Sequence, residues 1–88
     1  MNQSILFPDM QSWNEVQQVV TFPAQQSGAL IECLIRVVVL ESLSGCDIKS
    51  GEQALEVFAQ NRFDIEELAE ELIEEEEYNA SGKIDVIS

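Results

Sequence analysis

The chain has 88 residues, 45% of them hydrophobic, and it carries 17 Asp and Glu residues against four Lys and Arg residues, a formal net charge of −13. A chain of this length and apolar fraction forms one domain, residues 1–88, around a single core. Because no basic patch offsets the negative charge, binding to nucleic-acid phosphates and to anionic membrane surfaces is excluded.

The first third of the chain is predicted to form strands. Ile5-Leu6-Phe7 indicates a short edge strand that ends at Pro8-Asp9. The alternation over residues 16–24 predicts a second strand, in which Pro23 favours a position at a sheet edge or a bulge. Val20, Phe22 and Ala24 point to one side of this strand, and Val19 and Thr21 point to the other.

A β-hairpin follows from the next turn. Residues 25–28 end in Gly28, which is suited to a positive φ angle, and residues 29–35 return as the second arm. The inner face of that arm is predicted to hold Ile31, Cys33 and Ile35. Residues 36–43 are ambiguous, because the Val37-Val38-Val39 run favours a strand whereas Gly45 favours the end of a short helix.

Helices are predicted in the second half. Ser50 and Gln53 have the spacing of a capping box, with Ala54, Leu55 and Phe58 facing inward. After a break at residues 61–63, Asp64 is predicted to cap an acidic helix with Glu67 as its reciprocal partner. Its inward stripe is Ile65, Leu68, Ala69, Leu72 and Ile73. A last strand is predicted over residues 83–87.

This order of elements predicts an α+β fold. Strands come first, helices follow, and one strand closes the chain, which favours a small antiparallel sheet made of the N-terminal β-hairpin plus the C-terminal strand. Two to three helices are expected to cover one face of that sheet.

Catalytic chemistry is not expected. The chain has no His, and neither Cys33 nor Cys46 has a His partner that would make it a nucleophile. The four glycines form no phosphate-binding loop, so no cofactor is predicted. Glutamates displayed on a helix do not enclose a cation, so no metal site is predicted either. We therefore expect a protein that is not an enzyme.

The acidic helix is the candidate binding surface. Nine of the fourteen residues from Asp64 to Glu77 are acidic, and no basic residue lies among them. Two interpretations stay open: a solvated, partly frayed helix end that aids solubility, or a docking surface for a basic protein partner. The candidate partner-binding residues are Glu66, Glu67, Glu70, Glu71, Glu74, Glu75 and Trp13, although Trp13 is also typical of the edge of a core.

Self-association is the alternative from another class. A homodimer through the hairpin, or through an exposed apolar patch at residues 37–40, would leave the acidity to serve solubility only. No signal peptide and no apolar run long enough to span a bilayer is visible, so a cytoplasmic protein is expected.

The order of these features resembles a known family. Ile5-Leu6-Phe7-Pro8-Asp9, Trp13, Val20-Thr21-Phe22-Pro23-Ala24, Gly28 and Ile31-Glu32-Cys33, followed by the acidic helix, are similar to the small bacterial proteins called domain of unknown function 1488. The resemblance implies a small α+β fold in a cytoplasmic bacterial protein. It implies no catalytic or binding residue, because that family has no assigned activity. Residues 36–39 depart from its pattern in being strongly apolar.

Overall fold

The computed structural model of the protein describes residues 5–86. Within that range the chain forms one small sheet whose inner face is covered by helices, and the predicted α+β class is confirmed. The elements in chain order are β1 (Ile5–Leu6), β2 (Ser12–Asn14), β3 (Val19–Gln26), β4 (Ala29–Arg36), α1 (Val37–Ser44), α2 (Gly51–Gln60), α3 (Arg62–Glu74) and β5 (Ile84–Val86).

The predicted hairpin is the centre of the sheet. Strands β3 and β4 pair antiparallel over eight residues each, and the turn between them has only two residues. Ser27 and Gly28 both have positive φ angles, 53° and 83°, as a type I′ turn requires. Val20, Phe22 and Ala24, predicted to share one side of β3, are buried, and so are Cys33 and Ile35 of β4. Ile31, the third residue predicted on the inner face of β4, is half-buried and packs against the core.

Strands β1 and β2 both pair with β3, on the side away from β4. Strand β1 faces Gln25 and Gln26, whereas β2 faces the stretch from Val19 to Thr21. Pro23 lies in the gap between them, where its missing N–H leaves no ladder bond unmade. Strand β2 was not predicted, because three residues of mixed polarity carry no periodic signal.

Strand β5 pairs with the other side of β4, and this pairing is parallel. Cys33 faces Ile84 and Ile35 faces Val86. The expectation of an antiparallel sheet therefore holds for the other three pairings only. The physical reason is that the helices between β4 and β5 form a crossover, which returns the chain to the end of the sheet from which β4 started. Ile87, included in the predicted strand, lies outside the described residues.

The ambiguous stretch after β4 is a helix. It ends at Gly45, whose φ of 74° is left-handed and whose N–H donates to the Glu41 carbonyl at 2.8 Å. Leu40 is fully buried, and Val37 and Val39 pack against the core. The expectation of an exposed apolar patch at residues 37–40 is therefore wrong, since Val38 is the only one of these four residues that is exposed.

The boundary between α2 and α3 differs from the prediction. Ser50 caps α2 as expected, its Oγ accepting from the Gln53 N–H at 3.1 Å. At the other end, the Asn61 carbonyl accepts from the Ile65 N–H at 3.1 Å and so begins the next helix at once. The break is a single residue, and Asp64 lies inside the first turn of α3. The prediction that Asp64 caps the helix with Glu67 is wrong.

One cluster of side chains joins the helices to the sheet. The Phe22 ring of β3 lies 5.1 Å from the Phe58 ring of α2 and 6.2 Å from the Phe7 ring, measured between centroids. All three helices contribute to this cluster, with Leu40 from α1, Phe58 from α2 and Ile65 from α3 fully buried. Their outer sides are thereby turned away from the sheet.

Candidate functional site

Helix α3 has an apolar side and an acidic side. Ile65, Ala69 and Ile73 are buried in the core, and Leu68 and Leu72 pack against it. The acidic side chains point away from this stripe, with Glu67, Glu71 and Glu74 exposed and Glu66 and Glu70 half-buried. The sequence thus located the acidic side of this helix correctly.

Glu66 belongs to the fold rather than to the free acidic side. Its Oε2 accepts from Arg62 Nε at 2.6 Å, and only 18% of each of these side chains is exposed. Arg62 also donates to Gln11 Oε1 and to the Pro8 carbonyl, both at 2.7 Å. Its guanidinium carbon lies 5.5 Å from the centre of the Phe58 ring. Arg62 therefore ties the segment after β1 to the helices, and Glu66 is the anion that neutralises it.

Sequence reasoning missed this role of Arg62. The signal was readable, because Arg62 and Glu66 have the i, i+4 spacing of an ion pair on a helix. It was overlooked because the helix was predicted to start at Asp64, which left Arg62 in a break. The contacts with Pro8 and Gln11 join residues more than fifty positions apart, and the sequence carries no sign of them.

The other glutamates predicted to bind a partner lie near one another on and after α3, and no ion pair in the described residues involves them. In the described part of the chain the ion pairs engage Asp9, Glu32, Glu66 and Asp85, and none involves a carboxylate beyond Glu66 on α3 or just after it. We call this set the anionic surface: Glu67, Glu70, Glu71, Glu74, Glu75, Glu76 and Glu77. Glu66 is the one predicted glutamate that the surface does not include.

The end of α3 is a defined turn. The Glu77 N–H donates to the Leu72 carbonyl and the Glu76 N–H to the Ile73 carbonyl, each at 3.0 Å. This is the pair of bonds of a Schellman motif, with Glu76 left-handed at a φ of 57°. The helix therefore ends in a hydrogen-bonded turn, where the sequence also allowed a frayed end, and this turn sets the backbone positions of Glu75, Glu76 and Glu77.

Trp13 lies elsewhere in the molecule. It is half-buried in β2, packs against the core and donates from Nε1 to Glu15 Oε1 at 2.7 Å. Its indole lies against Gly51 at the start of α2. Trp13 is thus a residue of the edge of the core, on a different element from the one that carries the anionic surface.

Two kinds of feature are absent from residues 5–86. No three Cys, Asp or Glu side chains in that range converge into a group that could hold a metal ion. None of its helices is both long enough and apolar enough to cross a bilayer.

Comparison with known proteins gives the family. The profile described as "Protein of unknown function (DUF1488)" matches residues 5–86, nearly the whole of the chain. The chain belongs to the DUF1488 family. The resemblance noted in the sequence is thereby confirmed.

Three proteins similar to this chain come from bacteria. The uncharacterized protein YrdB of Escherichia coli (strain K12) is 40% identical over 82 residues, which is 93% of this chain and 94% of YrdB. YrdB of Shigella flexneri is 39% identical over the same shares of both chains. A DUF1488 protein of unknown function from Shewanella loihica PV-4, solved by crystallography at 1.60 Å, is 48% identical with a TM-score of 0.93. That match covers 98% of this chain and 94% of the other.

Proposed function

We propose that the protein is a small non-enzymatic binding module of the cytoplasm, whose anionic surface contacts a basic protein partner. The observation that carries the proposal is that no ion pair within residues 5–86 involves the carboxylates of this surface, because Arg36, Arg62 and Lys83 pair with carboxylates elsewhere. Seven neighbouring carboxylates without internal neutralisation create a negative potential that attracts Lys and Arg side chains and speeds their encounter.

The geometry of α3 supports contact with an ordered partner. Glu67, Glu71 and Glu74 follow one another at intervals of four and three, so they line one exposed strip of the helix. Core packing of Ile65, Ala69 and Ile73 holds that strip in place. A partner that presents Lys or Arg at helical spacing would meet carboxylates on a backbone that needs no reordering, which lowers the entropic cost of binding.

The conformation of Glu76 supports the same proposal. A left-handed φ at the end of a helix favours Gly, and a residue with a Cβ there costs stability of order 1 kcal/mol. Its side chain also adds one more negative charge at the negative end of the helix dipole. A glutamate at this position therefore lowers stability in two ways, which fits a residue whose charge serves binding.

The test is a binding experiment with a matched control. The protein is immobilised, a bacterial lysate is passed over it, and captured proteins are purified and titrated individually. In the test variant Glu70, Glu71, Glu74 and Glu75 are changed to Gln. In the control variant four exposed acids that lie outside the anionic surface and form none of the ion pairs of residues 5–86 are changed to their amides: Glu15, Asp47, Glu52 and Glu56. Both variants lose four negative charges.

We expect the test variant to bind a captured basic partner at least about tenfold more weakly, and the control variant to bind within about a factor of two of the original protein. Salt should weaken the binding of the original protein, and the test variant should show a smaller salt dependence. Equal loss in both variants would mean that the partner responds only to net charge, and no loss in either would remove the anionic surface as the site.

A further inference from the structure

One face of the sheet is not covered by any helix. Helices α1, α2 and α3 all pack on the face that carries Phe22 and Ile35. On the opposite face Val19, at one end of β3, is buried, whereas Leu6 and Leu30, towards the other end of that strand, are exposed. Strand alternation places on that opposite face Leu6 of β1, Thr21 and Pro23 of β3, and Leu30 and Leu34 of β4. We call this side of the sheet the open face.

The open face exposes large apolar side chains. Leu6 and Leu30 lie on either side of Gln25 in one cross-strand row, and they are 61% and 70% exposed. Next to them a groove of about 460 Å³ runs beside Pro23, with Met10 and Leu30 among its lining residues. Large apolar side chains exposed this close together on a small domain are typical of a site of association.

The open face is also electrically neutral, in contrast to the rest of the molecule. It carries two carboxylates and two cations, which pair across neighbouring positions of the sheet. Arg36 Nε lies 3.8 Å from Asp85 Oδ1, and Lys83 Nζ lies 3.5 Å from Glu32 Oε2. The whole net charge of −13 therefore belongs to the other parts of the chain.

We propose that the open face binds the open face of a second copy of the protein, in a symmetric homodimer. A second copy also carries −13, so the repulsion between two copies is smallest when they meet through a surface of zero net charge. A face with equal numbers of positive and negative side chains can pair with an identical face across a two-fold axis. There a cation of one copy can contact a carboxylate of the other, and the reverse contact follows by symmetry. A strongly basic partner would instead be drawn to the anionic surface, and another acidic protein would be repelled.

The dimensions are sufficient for such an interface. The principal extents of the molecule are 38, 24 and 21 Å. A broad face of a body of this size offers about the 800 Å² that each partner contributes to a standard interface. Face-to-face packing of two sheets would bury Leu6 and Leu30 of both copies. The anionic surfaces would remain on the outer sides of the dimer, open to a different partner.

Sedimentation equilibrium of the purified protein tests the proposal. We expect the original protein to be dimeric at high concentration, and Leu30→Glu to raise the dissociation constant at least about tenfold. Phe63→Glu and Val38→Glu are matched controls, because both add one negative charge at exposed apolar residues that lie on α3 and α1. Both controls should dissociate like the original protein. Circular dichroism verifies that each variant is folded.

Three outcomes would overturn the proposal. The original protein could remain a monomer at about 1 mM, Leu30→Glu could dissociate no more readily than the original, or the controls could be weakened as much as Leu30→Glu. Salt separates this dimer from the basic partner proposed above: salt should strengthen the dimer by screening the repulsion between two −13 charges, and weaken binding to a basic protein. Each proposal can therefore fail while the other stands.

Discussion

The indole of Trp13 occupies the space that a side chain at position 51 would fill. A Cβ built on Gly51 would lie only 2.8 Å from Trp13 Cγ, and still closer to Cδ1 and Nε1. The start of α2 can therefore approach β2 only because residue 51 has no side chain. This contact fixes the helix layer at one end of the sheet.

Gly51→Ala is expected to destabilise the protein by about 1–3 kcal/mol, although alanine favours helix more than glycine does. The cost comes from the overlap between the new methyl group and the indole, and urea unfolding measures it. In a Trp13→Ala background the same change should cost nothing or stabilise the protein. A cost of equal size in both backgrounds would contradict the role assigned to Trp13.

Arg62→Ala is expected to lower the free energy of unfolding by about 2–4 kcal/mol. The change leaves the Pro8 carbonyl, Gln11 Oε1 and the Glu66 carboxylate without their donor in a half-buried place. Arg62→Lys is the matched control, because it keeps the charge but not the planar fork that reaches three acceptors. An intermediate loss is expected for Lys. Equal stability of all three proteins in urea would show that these contacts add nothing.

Glu76→Gly is expected to stabilise the protein by about 0.5–1 kcal/mol. Glycine adopts the left-handed φ of 57° at the helix end without steric cost. Glu76→Gln removes the same charge but keeps the Cβ, so it should recover less. A thermal melt of the two variants beside the original separates the backbone effect from the charge effect. An equal gain in stability for Glu76→Gly and Glu76→Gln would show that the cost of Glu76 comes from its charge and not from its backbone conformation.

Moderate salt is expected to raise the melting temperature by a few degrees. The pairs Glu67–Glu71 and Glu70–Glu74 are like charges at i, i+4 within α3, each costing about 0.2–0.5 kcal/mol at low ionic strength. Melts in 10 and 150 mM salt are compared. In Glu71→Lys the repulsion is replaced by attraction, so the rise should be smaller. A melting temperature that falls with salt would show that attractive ion pairs dominate.

Alkaline pH is expected to destabilise the protein through Cys33. Burial, helped by the Glu32 carboxylate, raises the pKa of the Cys33 thiol to about 12. The unfolded thiol ionises near pH 9, whereas the folded one stays protonated up to about pH 12. The contribution of Cys33 to the free energy of unfolding is therefore full below pH 9. Above pH 9 the free energy of unfolding falls by about 1.4 kcal/mol per pH unit, up to about pH 12. Urea unfolding at pH 8 to 11 should show a shallower fall for Cys33→Ala than for the original.

Labelling provides the control for that measurement. Cys46 is exposed and Cys33 is buried, so a thiol reagent near pH 8 should modify Cys46 alone in the folded protein and both thiols in urea. Rapid labelling of Cys33 without denaturant would show that the thiol is reached by solvent, and the expected pH dependence would then be lost.

Much of the fold was readable from local patterns. The period-two pattern of β3 and β4 and the Ser-Gly turn specified the hairpin, and the stripe of Ile65, Ala69 and Ile73 specified the buried side of α3. These features depend on neighbours within four residues, where sequence and structure are directly coupled. The helix over residues 37–44 could not be predicted from local patterns, because its valines favour a strand. Only the burial of Leu40 against the sheet decides between helix and strand there.

Sequence alone determined that this protein is small, acidic and α+β, and that its charge is concentrated on one side of one helix. Tertiary structure decided which charges are free, because Arg62 neutralises Glu66 through contacts that also join Pro8 and Gln11. It also decided the parallel direction of β5 and the existence of an open face, because both follow from how three helices cross from β4 to β5 on one side of the sheet. Such relationships join residues far apart in the chain, and no local spacing encodes them.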